Sequence, residues 1–180
     1  MTMQKDKGKK FENKIADFIH QYLYDNLVEY QNLYEAMGNV NLKPRREKSS
    51  GTAKEADNDV DLGLAMKFFP YSVECKHHKC ISDVTLNTLM DEKFGWIDKV
   101  MEQAETHGKI KKLTPLIVFR GNRTLDFCCI NIEDLRKQSL TKFEAIQDKI
   151  KNHVIYKGKY FICELKKLMK YLIYPFKISE

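Results

Sequence analysis

The stretch Tyr71-Ser-Val-Glu-Cys-Lys-His77 decides how the rest of the chain is read. Its composition predicts a short strand. Side chains alternate across a strand, so Glu74 and Lys76 point to one side while Val73 and Cys75 face an apolar layer on the other. Thirteen positions before Glu74 stands Asp61, inside Asp59-Val-Asp-Leu-Gly-Leu-Ala65, which also reads as a strand. Pairing of the two strands as a hairpin-like unit would bring Asp61 to Glu74 and Lys76 at one edge of a sheet. Two carboxylates beside a lysine suit a hard divalent cation together with a base or charge stabiliser.

The acidic run around Asp61 opens like an EF-hand loop but lacks the glycine and terminal glutamate of that motif. Asp61, followed by Leu62-Gly63-Leu64, is the best placed on a strand. Asp59 shares its face two residues earlier and is a secondary or alternative ligand, whereas Asp57 belongs to the loop. Downstream, Cys75-Lys-His-His-Lys-Cys80 offers zinc-ligand residue types. They alternate sides of a strand and have no second Cys/His cluster to complete a site, which disfavours structural zinc. His77, His78 and Lys79 read instead as polar residues at the strand exit, near a bound backbone phosphate.

At 180 residues the chain suffices for one full domain with a sizeable core. Hydrophobic residues at 43% and charged ones at 31% exclude a disordered chain. The formal net charge of +6 favours a polyanionic partner. Five cysteines, with Cys128 and Cys129 adjacent, do not form a disulfide framework and indicate a reducing compartment. The charged start lacks a following apolar segment, and residues 171–176 are too short to span a bilayer. The expectation is an intracellular protein, cytoplasmic or nucleoid-associated (in the host cell if viral), with no membrane partner.

Along the chain, Lys5, Lys7, Lys9 and Lys10 form a basic lead-in expected to fray before a helix. Phe11, Ile15, Phe18, Ile19, Tyr22 and Leu23 then recur at helical spacing, with Glu12 beside that stripe. Residues 27–37 read as a second helical piece ended by Gly38-Asn39. The loop that follows is dense in cations: Arg45, Arg46, Lys48 and Lys54 suit phosphates, and Ser49 or Ser50 a hydrogen bond to one. Residues 85–108 carry a helical pattern that Gly95 weakens, with Gln103 on its later part. Residues 113–120 and 125–132 read as a strand and its return across the turn Gly121-Asn-Arg-Thr124. From Glu133 onward the pattern is helical, except at Tyr156-Lys-Gly-Lys-Tyr160, a turn or small hairpin.

The ordered set of Glu12 on a first helix, Asp61 on a strand, Glu74-Cys75-Lys76 on the next and Gln103 on a later helix resembles the PD-(D/E)XK nuclease superfamily. Within it the pattern looks most like the archaeal-type Holliday-junction resolvases. The features that carry this are Lys7-Gly8 before Phe11-Glu12, the basic loop ending in Ser50-Gly51, Glu-x-Lys, and Glu102-Gln103-Ala104 before Leu116-Ile-Val-Phe119. The likeness covers residues 7–132. Val60 stands where that family often has proline, and residues 21–41 lengthen the connection after the first helix.

The resemblance implies an α/β fold, a restriction-endonuclease-like central mixed β-sheet flanked by helices, with a nuclease core over residues 1–134. The resemblance leaves residues 135–180 unmatched; their helical pattern gives a mainly helical C-terminal extension that packs on that core or builds a dimer surface, in a single domain overall. It implies that Asp61, Glu74 and the Cys75 carbonyl bind Mg2+ (or Mn2+), with Glu12 helping through water. Lys76 would orient or activate the attacking water, or stabilise the transition state. Ser50 would contact a phosphate near the scissile bond, and Gln103 would support Lys76 or the metal shell. Lys9, Lys10, Arg45, Arg46, Lys48, Ser50, Lys54, His77 and Lys79 would bind nucleic acid.

The expected activity is metal-dependent hydrolysis of four-way DNA junctions by a homodimer, with no small-molecule cofactor. The alternative is an endonuclease of the same fold acting on linear duplex, whether restriction-like, repair or nicking. A non-catalytic basic nucleic-acid-binding module is disfavoured, because acids placed beside phosphates would repel them.

Overall fold

The computed structural model describes residues 3–38, 43–46, 59–77, 95–120 and 125–173. The first helix, α1 (Met3–Asn26), starts at the basic lead-in, which therefore forms its opening turns rather than a frayed arm. Phe11, Ile15, Ile19 and Leu23 are buried, as helical spacing requires of a single core-facing stripe. α2 (Val28–Ala36) packs back on α1 through Tyr30.

Two short strands, β1 (Arg45–Arg46) and β2 (Val60–Asp61), form an antiparallel bridge beside α1. The strand expected over residues 59–65 is thus only two residues long, and its ladder partner is β1, not the Glu74 strand. Gly63, at φ 52, ends it and opens a 3-10 helix (Gly63–Lys67). A left-handed φ suits glycine because any Cβ would be crowded there. Leu62 and Ala65 bury themselves through that turn rather than by strand alternation.

The main sheet has five strands in the order β3-β4-β5-β7-β6: β3 (Tyr71–His77), β4 (Thr114–Arg120), β5 (Phe127–Asn131), β6 (His153–Tyr156) and β7 (Tyr160–Glu164). β3 and β4 are parallel and the other neighbours antiparallel, which makes the sheet mixed. The crossover between β3 and β4 includes α3 (Trp96–Lys111), which begins just after Gly95. The earlier part of the helical pattern, residues 85–94, lies outside the described residues.

Alternation along the strands sorts the core into two layers. Val73, Leu116, Val118, Cys128, Ile130, Phe161 and Cys163 join the layer under α1. Ile117, Phe119, Phe127, Cys129, Tyr160 and Ile162 join the layer under α3, with Ile97, Val100 and Met101. Burial on both faces explains why β4 reads as a nearly continuous apolar run. With helices on both faces of the sheet, this is the restriction-endonuclease-like α/β architecture.

The C-terminal segment departs from expectation. It supplies α4 (Ile132–Gln138), α5 (Phe143–Lys149) and α6 (Leu165–Leu172), but also the β6–β7 hairpin, two of the five strands. Helices make up most of its regular structure, but the hairpin builds it into the central sheet. A boundary at 134/135 would cut through α4.

Candidate active site

β3 is an edge of the main sheet among the described strands, and the polar cluster gathers along it. Glu74 and Lys76 share a side of β3, with Lys76 Nζ 3.2 Å from Glu74 Oε2. The second aspartate at this edge is Asp59. Its Oδ2 accepts a 2.7 Å hydrogen bond from the Cys75 backbone N–H and lies 3.6 Å from Lys76 Nζ. A residue whose N–H points out of an open edge directs its own carbonyl to that side as well. The Cys75 carbonyl therefore lies along the same edge as these carboxylates, while its thiol is buried in the opposite layer.

Asp61 goes elsewhere. Its Oδ2 pairs with Arg45 at 3.2 Å, and its Oδ1 accepts from the Gly63 N–H at 3.0 Å. The expected meeting of Asp61 with Glu74 and Lys76 is therefore corrected to Asp59, and the physical reason is local. Asp59 precedes the two-residue strand, so period-two alternation does not tie its direction to that of Asp61. Asp61 is drawn into an Asx-type turn that starts the 3-10 helix.

Glu12 reaches the cluster from α1, where its Oε2 accepts from Arg46 Nε at 2.5 Å. Arg45 and Arg46 lie on β1, one against Asp61 and the other against Glu12. Lys9 is half-buried and Lys10 exposed on α1, and His77 is half-buried at the end of β3. Ser50, Lys48, Lys54 and Lys79 lie outside the described residues.

Gln103 is exposed on α3, and among the described residues no hydrogen bond links it to the cluster. The α3 residue that touches Glu74 is His107, with Nδ1 2.8 Å from Glu74 Oε1. His107 was not foreseen, though the sequence carried a signal for it. It borders the stripe of Ile97, Met101, Ala104 and Gly108, a polar side chain at the rim of a buried helix face. Gly108, the next residue, has a packing reason of its own: a Cβ there would stand 2.5 Å from the Leu113 carbonyl oxygen. Only glycine fits where the chain folds back at the end of α3, while Ser72 Cβ on β3, at 3.5 Å, is an ordinary packing contact.

The electrostatics of the cluster follow from crowding acids in a dry place. Burial, then the Asp59 charge, push Glu74 up to about 7, against the opposing pull of Lys76 and His107. Burial and then Asp59 also raise Glu12, with Arg46 opposing. For Lys76, burial favours the neutral amine, but Asp59 and Glu74 outweigh it and lift the pKa above the ordinary lysine value. Lys76 is therefore an ammonium at neutral pH.

Glu12, Asp59 and Glu74 offer hard oxygen donors, and the Asp59 charge adds to burial in raising the other two. Those donors fit a hard divalent cation in their chemistry. Among the described residues no three His, Cys, Asp or Glu side chains form a ready-made metal cage; Lys76 and Arg46 stand between the carboxylates instead. Also among the described residues, no helix is long and apolar enough to cross a membrane.

A family model described as "Phage putative PDDEXK endonuclease" matches residues 3–173. No curated protein and no solved structure matches the chain.

Proposed function

The chain belongs to this phage family of PDDEXK endonucleases, and we propose that it hydrolyses DNA phosphodiesters at the Glu12–Asp59–Glu74–Lys76 cluster. The observation that carries this reading is that Asp59 and Glu74, from different segments, both lie within 3.6 Å of the Lys76 ammonium nitrogen. A binding module has no use for such a cluster, because carboxylates gathered beside a phosphate repel it.

Asp59, Glu74 and the Cys75 carbonyl would hold Mg2+ (or Mn2+), with Glu12 acting through water. The cation supplies a water of lowered pKa and relief of charge on the phosphate. The chain's own groups have distinct tasks. The Cys75 N–H fixes the Asp59 carboxylate against the sheet edge, and His107 fixes that of Glu74 from the other side. Lys76, an ammonium in the metal-free protein, would orient the attacking water and stabilise negative charge gathering on the phosphoryl oxygens. Arg46 neutralises Glu12 and lies where an approaching phosphate oxygen can exchange places with that carboxylate.

The substrate we infer is a four-way DNA junction, cut by two copies related by a twofold axis that matches the symmetry of the branch. The support is the sequence pattern of Lys7-Gly8, Glu12 and the basic Ser50-Gly51 loop. A synthetic four-way junction and a linear duplex of the same arm sequence, each incubated with protein and Mg2+, test it. Symmetric nicking of the junction with the duplex largely intact is the expected result. Equal cutting of both makes the enzyme a duplex endonuclease, and cutting of neither sinks the nuclease reading.

A further inference from the structure

A second basic feature borders the cluster and is unused by the chemistry above. Lys7, Lys10 and Lys14 recur at i, i+3 and i+7 on one face of α1, and with Phe11, His77 and Arg120 they line a cleft of about 310 Å3. Phe11 forms its floor: the His77 ring meets it edge-on at 6.1 Å between centroids, and the Arg120 guanidinium stands 5.6 Å from its centre. Phe11 precedes Glu12 on α1 and His77 follows Lys76 on β3, so the cleft is built on the same two elements as the carboxylates. β1, with Arg45 and Arg46, runs along a different face of α1, where Asn13, Ala16 and Asp17 line another cleft with Arg45. The acids are thus bordered by two separate cationic regions.

The charge balance of this cleft points to an anion. Four cations line it, and among the described residues Asp126 is the carboxylate that answers two of them, at 2.6 Å from Lys14 Nζ and 2.7 Å from Arg120 Nε. Asp126 thus acts as an internal competitor for whatever anion the cleft receives. A cleft of this volume, with an aromatic floor and cationic walls, suits one nucleotide unit of a strand rather than the width of a duplex.

We propose that this cleft holds a backbone phosphate of the DNA strand next to the cleavage site, with Lys7, Lys10, Lys14 and Arg120 as its cations and Asp126 as the side chain it displaces. This rests on the nuclease reading for the identity of the polyanion. The strand then crosses the carboxylate cluster between two anchoring regions, which fixes the position of the scissile bond.

The experiment measures binding without cleavage: the full chain titrated against a labelled four-way junction and a labelled duplex in EDTA, over a series of salt concentrations. Lys7→Gln with Lys10→Gln should reduce the slope of log affinity against log salt by about two. The same two changes at Lys149 and Lys151, beside the opposite sheet edge, should leave the slope near wild type. Asp126→Asn should tighten binding several-fold, a sign that a purely structural role for Asp126 does not produce. An unchanged slope in the Lys7/Lys10 variant, or an equal loss in the Lys149/Lys151 control, overturns the proposal. So does weaker or unchanged binding by a folded Asp126→Asn protein; should that variant not fold, the lysine pair decides alone. If the wild type binds with the expected slopes but never cuts DNA, the nuclease reading fails and the cleft stands. If it cuts but the lysine pair has no effect, only the cleft fails.

Discussion

Asp59 and Asp61 are two residues apart, yet their carboxylates serve different regions of the molecule. Asp59 is buried at the edge of β3, held by a backbone N–H and an ammonium, and its charge perturbs Glu12 and Glu74. Asp61 keeps about a quarter of its side chain exposed (26%), pairs with an exposed arginine and caps a turn. The first environment is buried and crowded with carboxylates; the second is more open, and its carboxylate is paired with an arginine. Coulomb interactions are several times stronger in the first, so chemistry can be done there, while the second contributes about 1 kcal/mol or less of stability.

Substitution breaks the comparison most directly. Asp59→Asn should lower the rate of DNA cleavage about 100-fold or more, as removal of a group that organises transition-state charge does elsewhere. Asp61→Asn should stay within about threefold of wild type, given the small worth of an exposed pair. Single-turnover cleavage of both variants checks this. The reverse ranking would return the second carboxylate to Asp61 and undo the site described here.

A smaller effect sharpens the edges of the buried region. His107→Ala should reduce cleavage by about 10- to 100-fold through a loosened Glu74, the usual consequence of removing a partner of a metal-binding side chain. His107→Gln, which can still donate to Glu74, should recover part of it. Gln103→Ala, one helical turn earlier and exposed, should change cleavage little. Mg2+ affinity, measured by titration calorimetry, should weaken for His107→Ala alone; equal behaviour of the two alanine variants would mean that the Glu74–His107 contact does no positioning.

The smallest expected effect is on stability against pH. The Glu74 carboxyl is raised from 4.5 to about 7 in the fold, so the folded chain holds that proton more tightly than the unfolded chain. The stability this provides is complete below about pH 4.5 and is lost as the pH rises through about 7. In EDTA, the Glu74 contribution to Tm should therefore be larger at about pH 5 than at about pH 8. Glu74→Gln removes that contribution, while Asp61→Asn leaves it intact. Mg2+ should raise Tm more at the higher pH, because there it relieves a charge that protonation no longer removes. A Glu74→Gln protein with the wild-type pH profile would contradict the buried, acid-crowded state of Glu74.

Local rules read much of this architecture correctly. The apolar stripes of α1 and α6, the strands β3, β4 and β5, and the turn before Tyr160 depend on spacings of two and three to four residues, and such spacings are written in the sequence. The same holds for the common side of Glu74 and Lys76 on β3. The β6–β7 hairpin was legible as a turn, but its entry into the central sheet was not. Strand pairing is settled by which distant surfaces bury one another, and β7 pairs with β5 at separations of 29 (Asn131 to Tyr160) to 37 residues (Phe127 to Glu164). The choice between the two aspartates failed for a related reason. Alternation predicts direction only inside a strand, and β2 is too short to include Asp59.

By itself, then, the sequence determined that an acid and an amine stand side by side on a strand bordered by helices and basic segments. That follows from short-range geometry, which each residue's neighbours enforce. The fold decided which aspartate joins them, that His107 rather than Gln103 touches Glu74, and that Lys7, Lys14 and Arg120 share a cleft. Those outcomes depend on the packing of α3 against β3, the seating of α1 on the sheet and the open edge of β3. Each is a contact between segments far apart in the chain, where packing and desolvation outweigh local preference.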